Sequence, residues 1–290
     1  MKILISADTS CLINYEILKK NNISSLPLNV IVDGTEYLDG VSINHENLKS
    51  YMLDNKVIKT STPPPGVIID YFEKLFEQGY DKIIHFTISS KLSSMYSLFC
   101  NIAEEYFQDK LIVVDSYSGS SLMLSHMLYA KEEVEKGTDI NLILKEIENR
   151  KKDNYVWIIP KNLTSLKNGG RISPAIATMG NILGLKPILT FNDGQLEKGS
   201  MTRSMKKAFF EKIDEVYESH PASKYDYTVI SFDGDENVVK MLKEYINKYD
   251  ENYKVIEGFI PINICAHCGP GTIGLLVTPK INSKSINEFM

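Results

Sequence analysis

Apolar segments alternate with amphipathic ones along the chain, and the pattern begins at the N-terminus. The apolar segment KILISA (2–7) predicts a strand, and the polar cluster Asp8-Thr9-Ser10 after it supplies an N-cap for a helix that runs to about residue 20. The same order of strand, polar turn and helix recurs at KIIHFTI (82–88) and at LIVVDS (111–116). Strands that alternate with helices predict a parallel sheet covered on both faces, with ligand-binding loops at the carboxyl ends of the strands.

A proline-rich segment interrupts the first half of the chain. Before it, LPLNVIVDGTEYLDG (26–40) predicts two short strands around the turn signal Asp33-Gly34. The segment 59–66 reads KTSTPPPG, and three consecutive prolines fit neither the interior of a helix nor a central strand. We therefore predict a rigid, exposed loop that carries the hydroxyls of Thr60 and Ser61 and leads into the next helix.

The second half of the chain is less regular but continues the alternation. It predicts a short helix over 162–173, a hairpin around Asp193-Gly194 and further strands and helices. The predicted strands are YVWIIP (155–160), ILGLKPILTF (182–191), QLEKGSMTR (195–203), YTVISF (227–232), YKVIEGF (253–259) and IGLLVT (273–278), and the predicted helices are 204–219 and 236–249. We expect an α/β protein of two lobes, residues 1–155 and 156–290, each built on a sheet flanked by helices, with a mostly parallel sheet in the first.

Composition and charge narrow the classes of partner. The 290 residues are 43% hydrophobic, which is enough for a large core. A net charge of −5 without a basic patch argues against nucleic acid as the main partner. The N-terminus turns polar after Ile5, and no apolar run of about 18 residues follows, so we expect a cytoplasmic protein. The four cysteines form no disulfide framework in a chain of this length.

The segment ISSKLSSMYS (88–97) is the strongest local indication of a binding site. It joins a predicted strand to a predicted helix and contains Ser89, Ser90, Ser93 and Ser94. Their hydroxyls and backbone N–H groups lie at one helix N-terminus, where the helix dipole favours an anion. Capping of the helix by serine, without a ligand, is the alternative interpretation.

The segment CAHCGPGT (265–272) invites two interpretations that its context disfavours. Its glycines begin a G-x-G-x-x-G match, but a strand follows where a dinucleotide site requires a helix. Cys265, His267 and Cys268 are three candidate zinc ligands within four residues. Ligands so close in sequence cannot easily surround a tetrahedral zinc ion, and the sequence offers no second cluster of cysteine and histidine to complete the site. We expect His267 to lie in a glycine-rich loop and to direct a hydrogen bond between the lobes; a histidine satisfied within its own loop is the alternative.

Eight short motifs, taken in order, resemble those of the DegV family over essentially the whole chain. They are Asp8-Thr9-Ser10, Thr60-Ser61-x-Pro63, I-S-S-x-L-S (88–93), Val114-Asp115-Ser116, Leu166-x-x-Gly169-Gly170-Arg171-Ile172-Ser173, Lys186-Pro187-Ile188-Leu189 with Asp193-Gly194, Arg203, and His267-x-Gly269-Pro270-Gly271. The resemblance implies a two-lobe α/β protein that holds one long-chain fatty acid between its lobes. In the FakB type, such a protein presents the carboxyl group to a separate fatty acid kinase, which makes an acyl-phosphate for phospholipid synthesis.

The residues fit the chemistry that such a ligand requires. A fatty acid needs a few converging donors for its carboxylate above a deep apolar tunnel. The hydroxyls of Thr60 or Ser61 and of Ser93, with the backbone N–H of Ser94, can cradle the carboxylate. Where members of the family commonly have Gly-Thr after the L-S pair, this chain has Ser94-Met95, and this departure leaves the preferred acyl chain open.

By resemblance, Arg203 and His267 close around the same head group from the second lobe. Arg203 as a surface charge is the alternative. Arg171 follows a glycine pair and is the candidate contact with the kinase. The alternative is a structural role, in which Arg171 bonds nearby carbonyls.

A carrier of this kind needs no catalytic residue, no metal and no cofactor beyond its bound fatty acid. The sequence contains neither a G-x-S-x-G elbow nor a P-loop motif. We expect a monomer whose partners are the fatty acid and the kinase, and transient contact with a membrane is compatible with that role. Two other classes stay open: a regulatory protein that senses a lipid or another carboxylate, and an enzyme that acts on a phosphorylated small molecule.

Overall fold

The computed structural model describes residues 1–12, 14–161, 163–173, 176 and 185–290. The first residue of the helix predicted over 162–173 and the first three residues of the strand predicted over 182–191 lie outside this range. Within it, no helix is long and apolar enough to cross a membrane.

The described strands and helices follow the predicted alternation closely. The strands are β1 (Ile3–Asp8), β2 (Ser24–Leu26), β3 (Asn29–Val32), β4 (Thr35–Leu38), β5 (Ile58–Ser61), β6 (Lys82–Thr87), β7 (Leu111–Asp115), β8 (Tyr155–Ile159), β9 (Lys186–Asn192), β10 (Gln195–Thr202), β11 (Tyr225–Phe232), β12 (Ile256–Phe259) and β13 (Thr272–Pro279). The helices are α1 (Tyr15–Lys20), α2 (His45–Leu53), α3 (Pro65–Glu77), α4 (Met95–Ile102), α5 (Ser120–Glu135), α6 (Ile140–Lys151), α7 (Thr164–Asn168), α8 (Met205–Tyr217), α9 (Glu236–Ile246) and α10 (Ile262–Cys268).

The first sheet is parallel throughout, with the strand order β2-β1-β6-β7. Apolar side chains of this sheet pack against α3 and α4 in a group that we call the first-sheet cluster. Its members include Leu4, Leu26, Leu28, Phe72, Ile83, Ile88, Met95, Phe99 and Leu111. Because β1, β6 and β7 are parallel, their carboxyl ends meet at one edge, and the loops that follow β1 and β6 converge there.

The second sheet is mixed, with the strand order β10-β9-β8-β13-β11-β12. Only β11 and β12 pair in parallel among its described neighbours. Helices α8 and α9 cover it through buried side chains such as Phe209 and Leu242. The predicted α/β fold, with two helix-flanked sheets and a parallel first sheet, is confirmed; the exact division near residue 155 stays a prediction.

A third, antiparallel sheet corrects the prediction for Thr60 and Ser61. Its order is β4-β3-β5, and Thr60 and Ser61 lie opposite Val30 and Asn29 of β3. The chain is therefore a strand up to Ser61, and only the prolines beyond it leave the sheet. The prediction of a loop was wrong here because the edge of β3 pairs with residues 58–61, which come just before the prolines. Pro65 takes the first position of α3, where proline is tolerated.

The surroundings of His267 also differ from the prediction. Residue 267 lies in the last turn of helix α10 and not in a glycine-rich loop. Pro261 precedes the helix, and Gly269, with φ of +75°, ends it. The helix has only seven residues, so its apolar face is too short to give a clear helical period in the sequence.

Candidate functional site

A cavity of about 330 Å³ lies where the loop after β6, strand β5 and helix α10 meet. We call residues 89–94 the serine loop. The lining combines apolar and polar side chains, as expected of a site for an amphipathic molecule. The lining residues are Leu28, Thr60, Ser61, Thr62, Ile88, Leu92, Ser93, Ser94, Leu166, Arg171, Leu196, Asn263, Ile264 and His267.

Ser93 and Ser94 line this cavity at the N-terminus of α4. Ser94 is the N-cap residue, and the Ser93 hydroxyl accepts a hydrogen bond of 3.3 Å from the backbone N–H of Met95. Ser94 makes no capping bond with its own side chain, but the Ser93 hydroxyl accepts from the first N–H of the helix, so the alternative interpretation of serine capping holds in part. The same hydroxyl still has a proton to donate, and the helix dipole adds a positive potential at this end of α4.

The two earlier serines of the loop hold it in place. The Ser89 hydroxyl donates a hydrogen bond of 2.5 Å to the carbonyl of Gly194, in the turn between β9 and β10. The backbone N–H of Ser90 bonds the Asp115 carboxylate, at 3.1 Å to Oδ1. The serine loop is therefore tied both to the next strand of its own sheet and to a hairpin of the second sheet.

His267 contacts Thr60 in the wall of the cavity. The Thr60 hydroxyl and His267 Nε2 lie 2.8 Å apart, within hydrogen-bond distance, and this contact joins β5 to α10. Burial, and then the nearby positive charge of Arg171, lower the pKa of His267 to about 4. The imidazole is therefore neutral at neutral pH, and it can offer a carboxylate a hydrogen bond but no full charge.

Gly169 makes room for the His267 ring. A Cβ atom at position 169 would lie 2.4 Å from His267 Nδ1, closer than real Cβ contacts allow. Its φ of −75° is one that any residue adopts, so space and not backbone freedom requires glycine here. The Gly169-Gly170-Arg171 motif thus shapes the site from the end of α7.

Arg171 brings a positive charge to the same place. Its guanidinium donates a hydrogen bond to the carbonyl of Gly169, which matches the structural role considered as its alternative, and it also lines the cavity. Burial lowers its pKa, but an arginine side chain stays charged in proteins. Arg171, Thr60 and His267 also border an outer groove of about 830 Å³, which Lys56, Lys59 and Lys161 line as well.

Arg203, which the resemblance assigns to the head group, lies apart from the described cavity, and its role there stays a prediction. It follows β10, is exposed, and is absent from the cavity lining. The turn at Gly194 is the end of the β9–β10 hairpin that touches the serine loop, and Arg203 lies at the opposite end of the eight-residue strand, roughly 25 Å along it. The structure therefore brings together Thr60, Ser61, Ser93, Ser94, Arg171 and His267, but not Arg203.

Sequence analysis missed a buried polar network beneath the cavity. The side-chain amide of Asn263, in α10, donates to the Ser10 hydroxyl at 2.9 Å, and its backbone N–H bonds Asp39 at 3.3 Å. Thr9 also donates to Asp39, whose pKa burial raises to about 7. The Asp8-Thr9-Ser10 motif was a usable signal for this network, which ties the helix that carries His267 to the end of β1.

Comparisons with known proteins agree on the family. A family model described as "Uncharacterised protein, DegV family" matches residues 2–280. A DegV domain-containing protein of Staphylococcus aureus (strain N315) is 30% identical, over 96% of this chain and 99% of its own. A fatty-acid-binding DegV family protein from Thermus thermophilus has a TM-score of 0.84 and 26% identity, over 96% of this chain and 100% of its own. DegV, a fatty acid binding protein from Bacillus subtilis, has a TM-score of 0.85 and 25% identity, over 97% and 100%.

Proposed function

Because the chain belongs to the DegV family, we propose that it binds one long-chain fatty acid, with the carboxylate in the cavity between the serine loop and His267. The observation that carries the proposal is the mixed lining of this cavity, in which hydroxyls, an imidazole and a guanidinium stand together with leucine and isoleucine side chains. The described homologues that bind fatty acids support the same class of ligand.

The polar residues of the lining offer several donors to a carboxylate. The hydroxyls of Thr60 and Ser93, the imidazole of His267 and the N-terminus of α4 are neutral donors, and Arg171 supplies the charge. Hydrogen bonds to a charged group are stronger than those between neutral groups. We propose that Ser61 and Ser94, which line the same cavity, complete this set.

The apolar residues of the lining give the acyl chain a path into the protein. Leu28 and Ile88 line the cavity and also belong to the first-sheet cluster, while Leu92 and Ile264 line it and pack against that cluster. Burial of about fifteen methylenes contributes roughly 12 kcal/mol, at about 0.8 kcal/mol each, before the costs of association and ordering. The tail is therefore the main source of affinity, and the polar residues fix which way the ligand points.

We further propose that the protein is a carrier of the FakB type, which presents the carboxylate to a fatty acid kinase and does no chemistry itself. Arg171 lies between the cavity and the outer groove, beside three lysines of that groove. A transferred phosphoryl group adds negative charge to the head group, and a groove of this charge suits it. We propose this groove as the face toward the kinase.

Substitution of Ser93 tests the binding site. We expect Ser93→Ala to weaken the binding of stearic acid about tenfold or more, because a hydrogen bond to a charged group contributes about 1.5–3 kcal/mol. Titration with a fluorescent fatty acid, displaced by stearic acid, measures the change. Ser50→Ala, at an exposed position of α2, is the matched control and should leave the affinity unchanged. Equal affinities of the two variants would contradict the proposed site.

Substitution of Arg171 tests the carrier role. We expect Arg171→Ala, loaded with fatty acid, to slow formation of acyl-phosphate by a bacterial fatty acid kinase by more than tenfold, because the groove loses the charge that borders the carboxylate. Loading is measured separately by mass spectrometry, so that a loss of transfer is distinguished from a loss of ligand. Lys240→Ala, which removes an exposed positive charge from α9, is the matched control. Binding without transfer by the unsubstituted protein would favour a regulatory lipid sensor.

A further inference from the structure

Two buried polar atoms on β6 have no hydrogen-bond partner among the described residues. They are Nε2 of His85 and the hydroxyl oxygen of Thr87. Both side chains are fully buried. Residues two apart in a strand point to the same face of a sheet, so the two atoms share one side of the first sheet. Buried polar groups are nearly always paired. The described residues include other unpaired buried atoms, and what distinguishes these two is that they share one face of the strand that leads to the cavity.

This side of the sheet is the one toward which the proposed acyl chain runs. The His85 ring stacks on Phe99, with centroids 4.6 Å apart, and meets Phe72 edge-on at 5.1 Å. Both aromatic residues belong to the first-sheet cluster, and Ile88, which lines the cavity, directly follows Thr87. The unpartnered atoms therefore lie beside the cluster into which we propose that the acyl chain extends.

Neither atom finds a hydrogen-bond partner among the described side chains around it. Nδ1 of His85 is 2.9 Å from the Ser6 hydroxyl, which in turn bonds Tyr71. Burial lowers the pKa of His85 to about 3, so the ring is neutral and its Nε2 either donates or accepts, according to the tautomer. Asp115, opposite Thr87 on β7, already accepts from the backbone N–H of Ser90. A hydroxyl both donates and accepts and so suits either tautomer, whereas a methylene suits neither.

We propose that His85 and Thr87 form a second polar subsite beyond the described cavity, beside the first-sheet cluster, which takes a hydroxyl group carried near the middle of the acyl chain. His85 lies three positions before Ile88, about 10 Å along the chain, and Ser93 and Ser94, which we propose for the carboxylate, follow Ile88 on its other side. The ligand class then includes hydroxylated long-chain fatty acids. This inference rests on the proposed function, since it needs the acyl chain in the first-sheet cluster.

Competition between two acids tests the subsite. The probes are stearic acid and a hydroxystearic acid with the hydroxyl near the middle of the chain. The proteins are the unsubstituted chain, Thr87→Val, which keeps the side-chain shape, and His85→Phe, which keeps an aromatic ring. We expect the unsubstituted protein to bind the hydroxylated acid at least as tightly as stearic acid, and each variant to disfavour it about tenfold while retaining stearic acid.

The outcomes separate this inference from the proposed function. If the unsubstituted protein and Thr87→Val discriminate equally between the two acids, the subsite is overturned and the two atoms are satisfied by an internal water only. If the unsubstituted protein binds neither acid, the proposed function fails. If His85→Phe does not fold, the comparison of Thr87→Val with the unsubstituted protein decides whether the subsite exists.

Discussion

Gly169→Ala is expected to weaken the binding of stearic acid by at least tenfold, although it adds a single methyl group. That methyl group would occupy space 2.4 Å from His267 Nδ1, so the ring must turn away from Thr60 and from the cavity. The backbone at Gly169 suits alanine, and the helix end should therefore form normally. Displacement of a fluorescent fatty acid measures the affinity, and thermal unfolding shows that the variant is folded.

Gly66→Ala is the matched control for this substitution. Gly66 lies in the first turn of α3, and a Cβ atom there meets nothing within 4 Å. We expect unchanged binding and equal or slightly higher stability, because alanine is the better helix former. Retention of full affinity by Gly169→Ala would show that the position of the His267 ring does not matter for the ligand.

Asp8→Ala is expected to have the largest effect on stability. The buried Asp8 carboxylate accepts hydrogen bonds of 2.7 Å from the backbone N–H groups of Ser10 and Ile88, and it thereby joins the end of β1 to the start of the serine loop. Without it, two buried N–H groups lose their acceptor, at about 1–3 kcal/mol each. The free energy of unfolding should fall by about 2–6 kcal/mol, as measured by urea denaturation.

Asp235→Ala provides the comparison for Asp8. Asp235 also accepts from a backbone N–H two residues ahead, but it does so as the exposed N-cap of α9. Loss of such a cap costs typically about 1 kcal/mol. Equal losses in the two variants would contradict the claim that the Asp8 carboxylate supports the serine loop through buried bonds.

The sequence was a good guide to elements whose residues carry their own signal. The apolar runs of β1, β6 and β7 identify buried strands, and the Asp33-Gly34 and Asp193-Gly194 turns identify two hairpins that the structure contains. Strand β5 was missed because its partner β3, not its own residues, makes it a strand. Helix α10 was missed because seven residues between Pro261 and Gly269 give too short a pattern.

The candidate site was predictable in part for the same reason. Ser93 and Ser94 follow from the serine-rich helix start, and Thr60 and His267 from a resemblance that spans the chain. The fit of the His267 ring against Gly169 and the bonds of Asn263 depend on how distant segments pack, which no local pattern encodes. Arg203 was assigned to the head group by motif alone; it is exposed and follows the end of β10 that is remote from the Gly194 turn, and its role stays a prediction.

Mass spectrometry of the organic extract from the purified protein is the decisive test of whether the chain carries a fatty acid. We expect about one long-chain fatty acid per chain, and clearly less in the double variant Ser93→Ala/His267→Ala. The identity of the acid would also show the preferred chain and whether it carries a hydroxyl. An empty extract, together with no uptake of added fatty acids, would contradict the proposed function.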